Sequence, residues 1–203
     1  MSCLLRLVKW LEDAGHERIV LLDNASTFEP LRDYYSHTAH EVVPLGANLG
    51  SRAIWAADLV PDEWFVYTDP DCVPTDDCPT DAVAHLRDLL GRFPDFPKAA
   101  LGLFVDDLPP ALEGVERWER SLVSDGRWLA PGVFGSLADT TFALYRPGAP
   151  FGYHALRTGA PYLARHEGWY AEADPSAEDL YYLAHADTGP LASSWATRAK
   201  ACD

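Results

Sequence analysis

Two aspartates separated by a single residue, Asp69 and Asp71, are the sharpest chemical feature of this sequence. They come directly after an aromatic and β-branched run at residues 64–68, which is typical of a buried strand. Carboxylate oxygens are the ligands that hard divalent cations such as Mg²⁺ and Mn²⁺ prefer, and a cation held there would bind a diphosphate. Because Asp-x-Asp triplets also arise by chance, it is the position at a strand end that makes this one a candidate metal site.

Polar residues follow the two preceding predicted strands as well. Asp23 and Asn24 come after the apolar run at residues 19–22, and Asn48 lies in the loop after residues 40–45. Turn formation alone explains any one of these loops, since Asx and Gly residues favour turns. In open α/β sheets, ligands bind beyond the carboxyl ends of the strands, so the three loops together predict one binding site.

The elements that must position these loops alternate between strand and helix. Apolar residues at helical spacing predict a first helix over residues 3–14, and further helices are predicted at 29–37, 51–58 and 81–90, with a fourth strand at 99–105. This alternation indicates an α/β fold with buried parallel strands. After residue 109 the pattern loosens into a helix at 113–123, a strand at 141–145 and a helix at 177–184. With 203 residues, we expect a single domain.

Composition excludes several classes of protein. Asp and Glu total 31 against 16 Lys and Arg, a net charge of −15 that would repel a nucleic-acid backbone. The longest apolar run, residues 99–105, falls far short of the roughly 18 residues of a membrane span. The start of the chain lacks a secretory pattern, so we expect a cytoplasmic protein. Cys3, Cys72, Cys78 and Cys202 lack zinc-site spacing and are interpreted as reduced thiols.

Several segments together carry a more specific signal than the Asp-x-Asp triplet. They are LLDNASTFEPLRDYY, LGANLGSRAIW, FVYTDPDCVP, LFVDDLPP, WERSL, ADTTFALYRP and RHEGWY. In these segments and their order, most of the chain resembles the nucleotide-sugar-dependent glycosyltransferases of the GT-A fold, in the family 2-like branch of bacterial polysaccharide and glycoconjugate synthesis. The resemblance implies a Rossmann-like, mostly parallel sheet flanked by helices. It also implies a nucleotide-sugar-binding half at residues 1–108 and a looser acceptor-side half at 109–203.

The resemblance further implies a role for individual residues. Those expected to contact the nucleotide sugar are Asp23, Asn24, Asn48, Arg52 and Asp69, with Asp23 at the base or ribose. Asp69 and Asp71 are expected to hold Mn²⁺ or Mg²⁺ against the diphosphate, and His166 is suggested as a later contact to the metal or diphosphate. A hydrogen-bonded histidine beside Trp169 is an equally good explanation of His166.

An inverting transferase also needs a base near the acceptor hydroxyl, whether the acceptor is a saccharide or a small molecule. Glu119 and Asp139 are the leading candidates, ahead of the pair at residues 178–179. Each has a plainer explanation: Glu119 as a solvated helix charge, Asp139 as a turn residue, and the pair as first-turn acids favoured by the helix dipole. Trp128 and Trp169 lie in Gly- and polar-rich segments, where an indole face can stack on a sugar ring.

Two other functions stay open. Asp69-Pro70-Asp71 also matches the nucleophile pattern of haloacid-dehalogenase-type phosphohydrolases, with Lys98 and Asp106-Asp107 downstream, and Asp69 would then be phosphorylated. Against this, two strand and helix units precede the triplet. The alternative is a non-catalytic subunit or remnant of a transferase.

The chain departs from the glycosyltransferase pattern at its start. Family members have a strand and a short polar loop before the helix at residues 3–14, and this sequence begins at that helix. We expect an open sheet edge as a result, covered by a second copy of the chain or by an upstream segment.

Overall fold

The computed structural model describes residues 1–171 and 175–185. Within these ranges the helices are α1 Ser2–Asp13, α2 Glu29–His37, α3 Ala53–Ala56, α4 Ala82–Arg92, α5 Glu113–Ser124 and α6 Ala177–His185. Short 3₁₀ turns cover Gly50–Arg52, Pro110–Leu112 and Glu167–Trp169. The helices predicted from the sequence therefore match these six to within a few residues at each end, and 51–58 divides into a 3₁₀ turn followed by α3.

The strands form three sheets in the described part of the chain. They are β1 Val20–Asp23, β2 Glu41–Pro44, β3 Phe65–Tyr67, β4 Cys72–Pro74, β5 Lys98–Ala100, β6 Gly102–Leu103, β7 Arg127–Ala130, β8 Val133–Leu137, β9 Ala143–Tyr145, β10 His154–Thr158 and β11 Leu163–His166. One sheet pairs β1 with β2, the largest has the order β3-β9-β5-β10-β8-β7, and the third has the order β4-β11-β6.

The expected α/β class is confirmed, whereas the mostly parallel sheet is not what the structure shows. Parallel pairing joins β1 with β2, β5 with β10 and β6 with β11. The other five pairings within the described residues are antiparallel. Two of them arise because β9 returns between β3 and β5 in the opposite direction. A strand from residues 109–203 therefore lies in the middle of a sheet that also contains strands from residues 1–108.

The strand predicted over residues 99–105 is also corrected. The chain bends at Leu101, whose backbone N–H donates to the Phe142 carbonyl, and β5 and β6 then belong to different sheets. A glycine is needed at residue 102, because a Cβ there would clash with the Thr158 carbonyl oxygen of β10. Such a close backbone approach cannot be seen in an apolar run.

The core lies between the helices and the central strands. Leu86, Leu89 and Leu90 of α4 are fully buried with Leu7 of α1 and Leu156 of β10. Each such side chain stabilises the fold by about 1.5–3 kcal/mol relative to exposure. Ala99 of β5 and Val66 of β3 belong to the same packing, which fixes β3 and thereby the polar loop with Asp69 at its carboxyl end.

The remaining expectations concern membranes and thiols. The helices in the described part of the chain are too short or too polar to cross a bilayer. Cys3, Cys72 and Cys78 are free thiols, as expected, and Cys202 lies outside the described residues.

Candidate functional site

A groove of about 1730 Å³ runs between β1 and β3. Its walls are largely apolar and include Val20 and Leu22 on one side and Phe65 and Val66 on the other. Most of the predicted site residues line it, namely Asn24, Asn48, Asp69, Asp71, Asp139 and His166. The structure thus brings together side chains that the sequence places in five separate segments.

Asp69 lies two residues after the end of β3 and is hydrogen-bonded to the loop before β9. The buried Thr140 donates its hydroxyl to Asp69 Oδ2 at 2.7 Å, and the backbone N–H of Asp69 donates to the Thr140 carbonyl at 3.0 Å. Burial raises the pKa of the Asp69 carboxyl to about 7, against the lowering effect of the Thr140 hydrogen bond. Asp71 and Asp139 add to the rise, so this carboxylate is costly to ionise until a cation faces it.

Asp71 and His166 face each other beyond the end of β3. His166 Nδ1 lies 3.5 Å from Asp71 Oδ2, and the Glu167 backbone N–H donates to the Asp71 carbonyl at 2.8 Å. The His166 ring stacks on Trp169, with centroids 4.6 Å apart. Its Nδ1 is buried beside the Asp71 carboxylate and makes no hydrogen bond within the described part of the chain, which is unusual for a buried polar atom.

These two side chains offer a donor set that fits a divalent cation. Ligand atoms of Asp71, Cys72 and His166 lie within 4.8 Å of one another. Cys72 is fully buried and burial raises the pKa of its thiol well above the ordinary value, so it is a poor ligand. One carboxylate and one imidazole suit Mn²⁺ better than Mg²⁺, because imidazole is a softer donor. Asp69 is outside this cluster of ligand atoms and lies beside it along the groove.

Gly168 allows the approach of the Asp71 carboxylate to His166. A Cβ at residue 168 would lie 2.5 Å from Asp71 Oδ2, closer than such contacts occur. Neither Gly168 nor Thr140 was a candidate from the sequence. Both belong to segments that carry the family resemblance, but nothing in their residue type or spacing indicates a contact with a distant aspartate.

Asp139 lies on a loop that a buried lysine fixes in place. The Lys98 ammonium donates to the carbonyls of Ala138 at 2.8 Å and Asp139 at 3.0 Å, and to the Tyr145 hydroxyl at 3.1 Å. Burial lowers the pKa of Lys98 to about 8, with the Asp139 charge acting in the opposite direction. The Asp139 side chain itself is exposed and lines the groove, so it is accessible to a ligand.

The residues predicted for the nucleotide side divide into two groups. Asn24 bridges the first two loops, accepting from the Leu49 N–H at 3.1 Å and donating to the Gly50 carbonyl at 3.1 Å, and Asn48 stabilises its own turn by accepting from the Gly50 N–H. Both line the groove.

The other two nucleotide-side residues lie outside the groove lining. Asp23 accepts from the Ser26 N–H. The Arg52 guanidinium stacks on Phe151 at 4.1 Å and donates to the Tyr153 hydroxyl at 2.7 Å.

Glu119 also lies outside the groove lining, in a buried ion pair. Its Oε2 is 2.9 Å from Nη2 of Arg157, whose side chain is 3% exposed. The carboxylate therefore offsets a buried charge on β10. Of the two leading candidates for the base, only Asp139 lies in the groove.

Other acidic candidates have partners of their own. Asp107 accepts from the Tyr170 hydroxyl and from Arg165, both at 2.6 Å, and these contacts lower the pKa of its carboxyl. Asp106 pairs with Arg120 on α5, and Asp179 caps the start of α6 by accepting from the Ser176 N–H. Of the two tryptophans considered for stacking, Trp169 lines the groove and Trp128 does not.

Comparisons of the chain with protein-family models, with curated proteins and with solved structures found no match. The function of the groove must therefore be inferred from its own residues and geometry.

Proposed function

We propose that this protein is a metal-dependent glycosyltransferase with a GT-A type of fold, which moves a sugar from a nucleoside-diphosphate donor to a hydroxyl acceptor. The observation that carries the proposal is the Asp71–His166 pair in the same groove as Asp69 and Asp139, with a buried Nδ1 on His166 that makes no hydrogen bond within the described residues. A transferase must bind the cation, the diphosphate and the acceptor close together, so it needs these groups in one groove. Residues that only formed turns would have no reason to converge there.

In this proposal Asp71 and His166 would hold the cation, and Asp69 would add a second negative charge beside it. When bound, the cation would offset the negative charge that develops on the departing diphosphate. Asn24 and Asn48 keep the loops after β1 and β2 in position for the nucleoside. The side chains at this end of the groove thereby orient the donor.

Asp139 is the proposed base. It accepts the proton of the acceptor hydroxyl while the acceptor oxygen forms a bond to the anomeric carbon and the bond from that carbon to the diphosphate oxygen breaks. Attack on the face opposite the departing diphosphate inverts the configuration. Lys98 stabilises the loop that presents Asp139, through its bonds to two carbonyls of that loop.

The arrangement of Lys98 favours this proposal over a phosphohydrolase. An aspartyl-phosphate enzyme of the haloacid-dehalogenase type would use a lysine ammonium beside its nucleophile. Here the Lys98 ammonium makes three hydrogen bonds within the core and none of them is to Asp69.

Thermal shift with a panel of nucleoside diphosphates and their sugars, with and without Mn²⁺, tests the proposal. A ligand that binds only the native state raises the melting temperature. We expect stabilisation that needs both nucleotide and Mn²⁺ and is lost in Asp71→Ala and His166→Ala. His37→Ala, an exposed histidine on α2, serves as the control and should keep the effect. Equal stabilisation of the Asp71 and His166 variants would overturn the metal assignment.

A generic aryl phosphate with Mg²⁺ distinguishes the rival chemistry. We expect no turnover by the wild-type protein. Hydrolysis that disappears in Asp69→Asn would establish a phosphohydrolase and contradict the transferase.

A further inference from the structure

A second cavity, of about 410 Å³, lies at the other end of the large sheet. Its lining shares no residue with the groove. The strand pairings make β3 and β10 run in the same direction. The cavity contains His154 at the amino end of β10, whereas the groove lies at the carboxyl end of β3, so the two lie at opposite ends of the sheet. The cavity also borders β7 and β8, which are farthest from β3 in the strand order. The two sites are therefore distinct.

The walls of this cavity are fixed by contacts beneath them. Ser136 of β8 donates its hydroxyl to the Leu122 carbonyl of α5 at 2.8 Å, and the buried pair of Glu119 and Arg157 ties the same helix to β10. The His154 ring stacks on Phe96 with centroids 4.5 Å apart. Because its surroundings are tied in this way, the cavity exists before any ligand enters, as is usual for binding sites of this size.

Large apolar side chains are exposed at the cavity. Trp118 of α5 is 58% exposed and Leu137 of β8 is 45% exposed, and both line it. No aromatic ring or cation of the described chain contacts the Trp118 indole. These side chains give the cavity an apolar part on which the C–H face of a ligand can lie.

The polar groups of the cavity carry both charges and are without ion-pair partners in the described part of the chain. Asp95 and Asp125 contribute carboxylates, Arg127 a guanidinium and His154 an imidazole. Two carboxylates disfavour a phosphate-bearing ligand, and a purely apolar ligand would leave these groups desolvated and unpaired. The chemistry instead suits a neutral ligand with hydroxyl groups that donate and accept, together with a C–H face that covers an indole.

We infer that this cavity is an accessory saccharide-binding site, in which the face of a sugar ring lies on Trp118 and its hydroxyl groups bond to the carboxylates and Arg127. The inference goes beyond the proposed transferase activity and does not depend on the cation site.

Saturation-transfer NMR, with linear oligosaccharides of glucose, galactose, mannose and N-acetylglucosamine as probes, tests this site. We expect at least one probe to bind with a millimolar dissociation constant, and Trp118→Ala to weaken it at least tenfold. Trp128→Ala is the matched control, because Trp128 is 57% exposed and lies outside the cavity lining. Asp71→Ala, which removes the proposed metal ligand in the groove, should bind the probe as the wild type does.

Three results would overturn the inference. The first is that no probe binds the wild-type protein. The second is that Trp118→Ala binds the probe as well as Trp128→Ala does. The third is that Asp71→Ala loses probe binding while Trp118→Ala keeps it. The last result would assign the saccharide to the groove and leave the proposed transferase activity standing. Circular dichroism of both tryptophan variants verifies that the fold is unchanged, as expected for exposed positions.

Discussion

At the scale of single residues, the hydrogen bond from Thr140 to Asp69 is the contact that most directly affects the ionised carboxylate. Removing the hydroxyl in Thr140→Val takes away a charge-assisted hydrogen bond of about 1.5–3 kcal/mol. We expect Mn²⁺ affinity, measured by calorimetry, to fall about tenfold, since about 1.4 kcal/mol corresponds to that factor. Thr140→Ser keeps the hydroxyl and should retain most of the affinity. Equal losses in the two variants would contradict a role for the hydrogen bond.

The carboxyl of Asp69 also predicts how stability depends on pH. Its pKa is raised to about 7 in the folded protein, whereas the ordinary value is 3.8. Between these values the folded state binds a proton that the unfolded state has released, so the contribution of Asp69 to stability is complete below pH 4 and is lost as the pH rises through 7.

Urea unfolding of the metal-free protein at several pH values tests this expectation. The difference in free energy of unfolding between wild type and Asp69→Asn should change with pH mainly from 4 to 7. Saturating Mn²⁺ should reverse the loss near neutral pH, because the cation requires the ionised form. A difference that is constant across this range would show that Asp69 ionises normally.

Substitutions of Glu119 and of Asp139 are expected to affect different properties, stability for Glu119 and activity for Asp139. Glu119→Ala leaves Arg157 buried without its partner, which costs about 3–5 kcal/mol of stability. Glu116→Ala, on the same helix, removes only a surface pair with Arg120 and should cost less than about 1 kcal/mol.

Asp139→Asn should instead change the free energy of unfolding by less than about 0.5 kcal/mol, because the side chain is exposed. If Asp139 is the base of the proposed transferase, sugar transfer should fall at least about 100-fold in this variant. Urea unfolding and a transfer assay on the same preparations separate the two effects. Normal sugar transfer by Asp139→Asn would show that Asp139 is not the base.

At the scale of elements, the turn after β11 is as important to the candidate metal site as the aspartates are. Gly168→Ala places a methyl group against the Asp71 carboxylate and should weaken Mn²⁺ binding several-fold while the protein still folds. Gly152→Ala is the control, since a Cβ there meets nothing within 4 Å. Unchanged calorimetric affinity in Gly168→Ala would mean that Asp71 is free to move aside.

The elements also show which parts of the fold a sequence can predict. The helices and the strands β1 to β3 follow from local periodicity. Strands such as β10 and β11 do not, because they contain Arg157 and His166, whose burial depends on partners far away in the chain. The antiparallel pairing of β9 with β3 and β5 likewise depends on residues far apart in the chain. An apolar run in the sequence predicts a strand but not the direction in which it pairs.

The candidate site divides in the same way. Asp69, Asp71, Asn24 and Asn48 could be found because they follow strands. Glu119 has a buried guanidinium partner on β10, and its position in the sequence does not reveal that pairing.

At the scale of the whole molecule, several strands have an edge without a strand partner in the described chain, and β1 and β3 are two of them. β1 pairs only with β2, and β3 only with β9, and both line the groove. Val20 on β1 is exposed there. Open edges beside apolar surface promote association with other chains, so we expect the mass measured by light scattering to rise with protein concentration.

Val20→Lys should reduce this association, because a charge at an open edge opposes pairing. Leu5→Lys is the control, as Leu5 is similarly exposed and lies outside the groove lining. A wild-type protein that stays monomeric at all concentrations would show that the edges are protected.

The interleaving of the two halves of the chain has a consequence for how the protein is made. β9 lies between β3 and β5, and Asp71 meets His166 only when β11 has paired with β4. While a ribosome is still synthesising the middle of the chain, the emerging polypeptide holds the aspartates but not their imidazole partner. At the proposed metal site, cation capture would therefore be a late event in biosynthesis, and a prematurely terminated product would retain the Asp-x-Asp triplet without the proposed imidazole ligand.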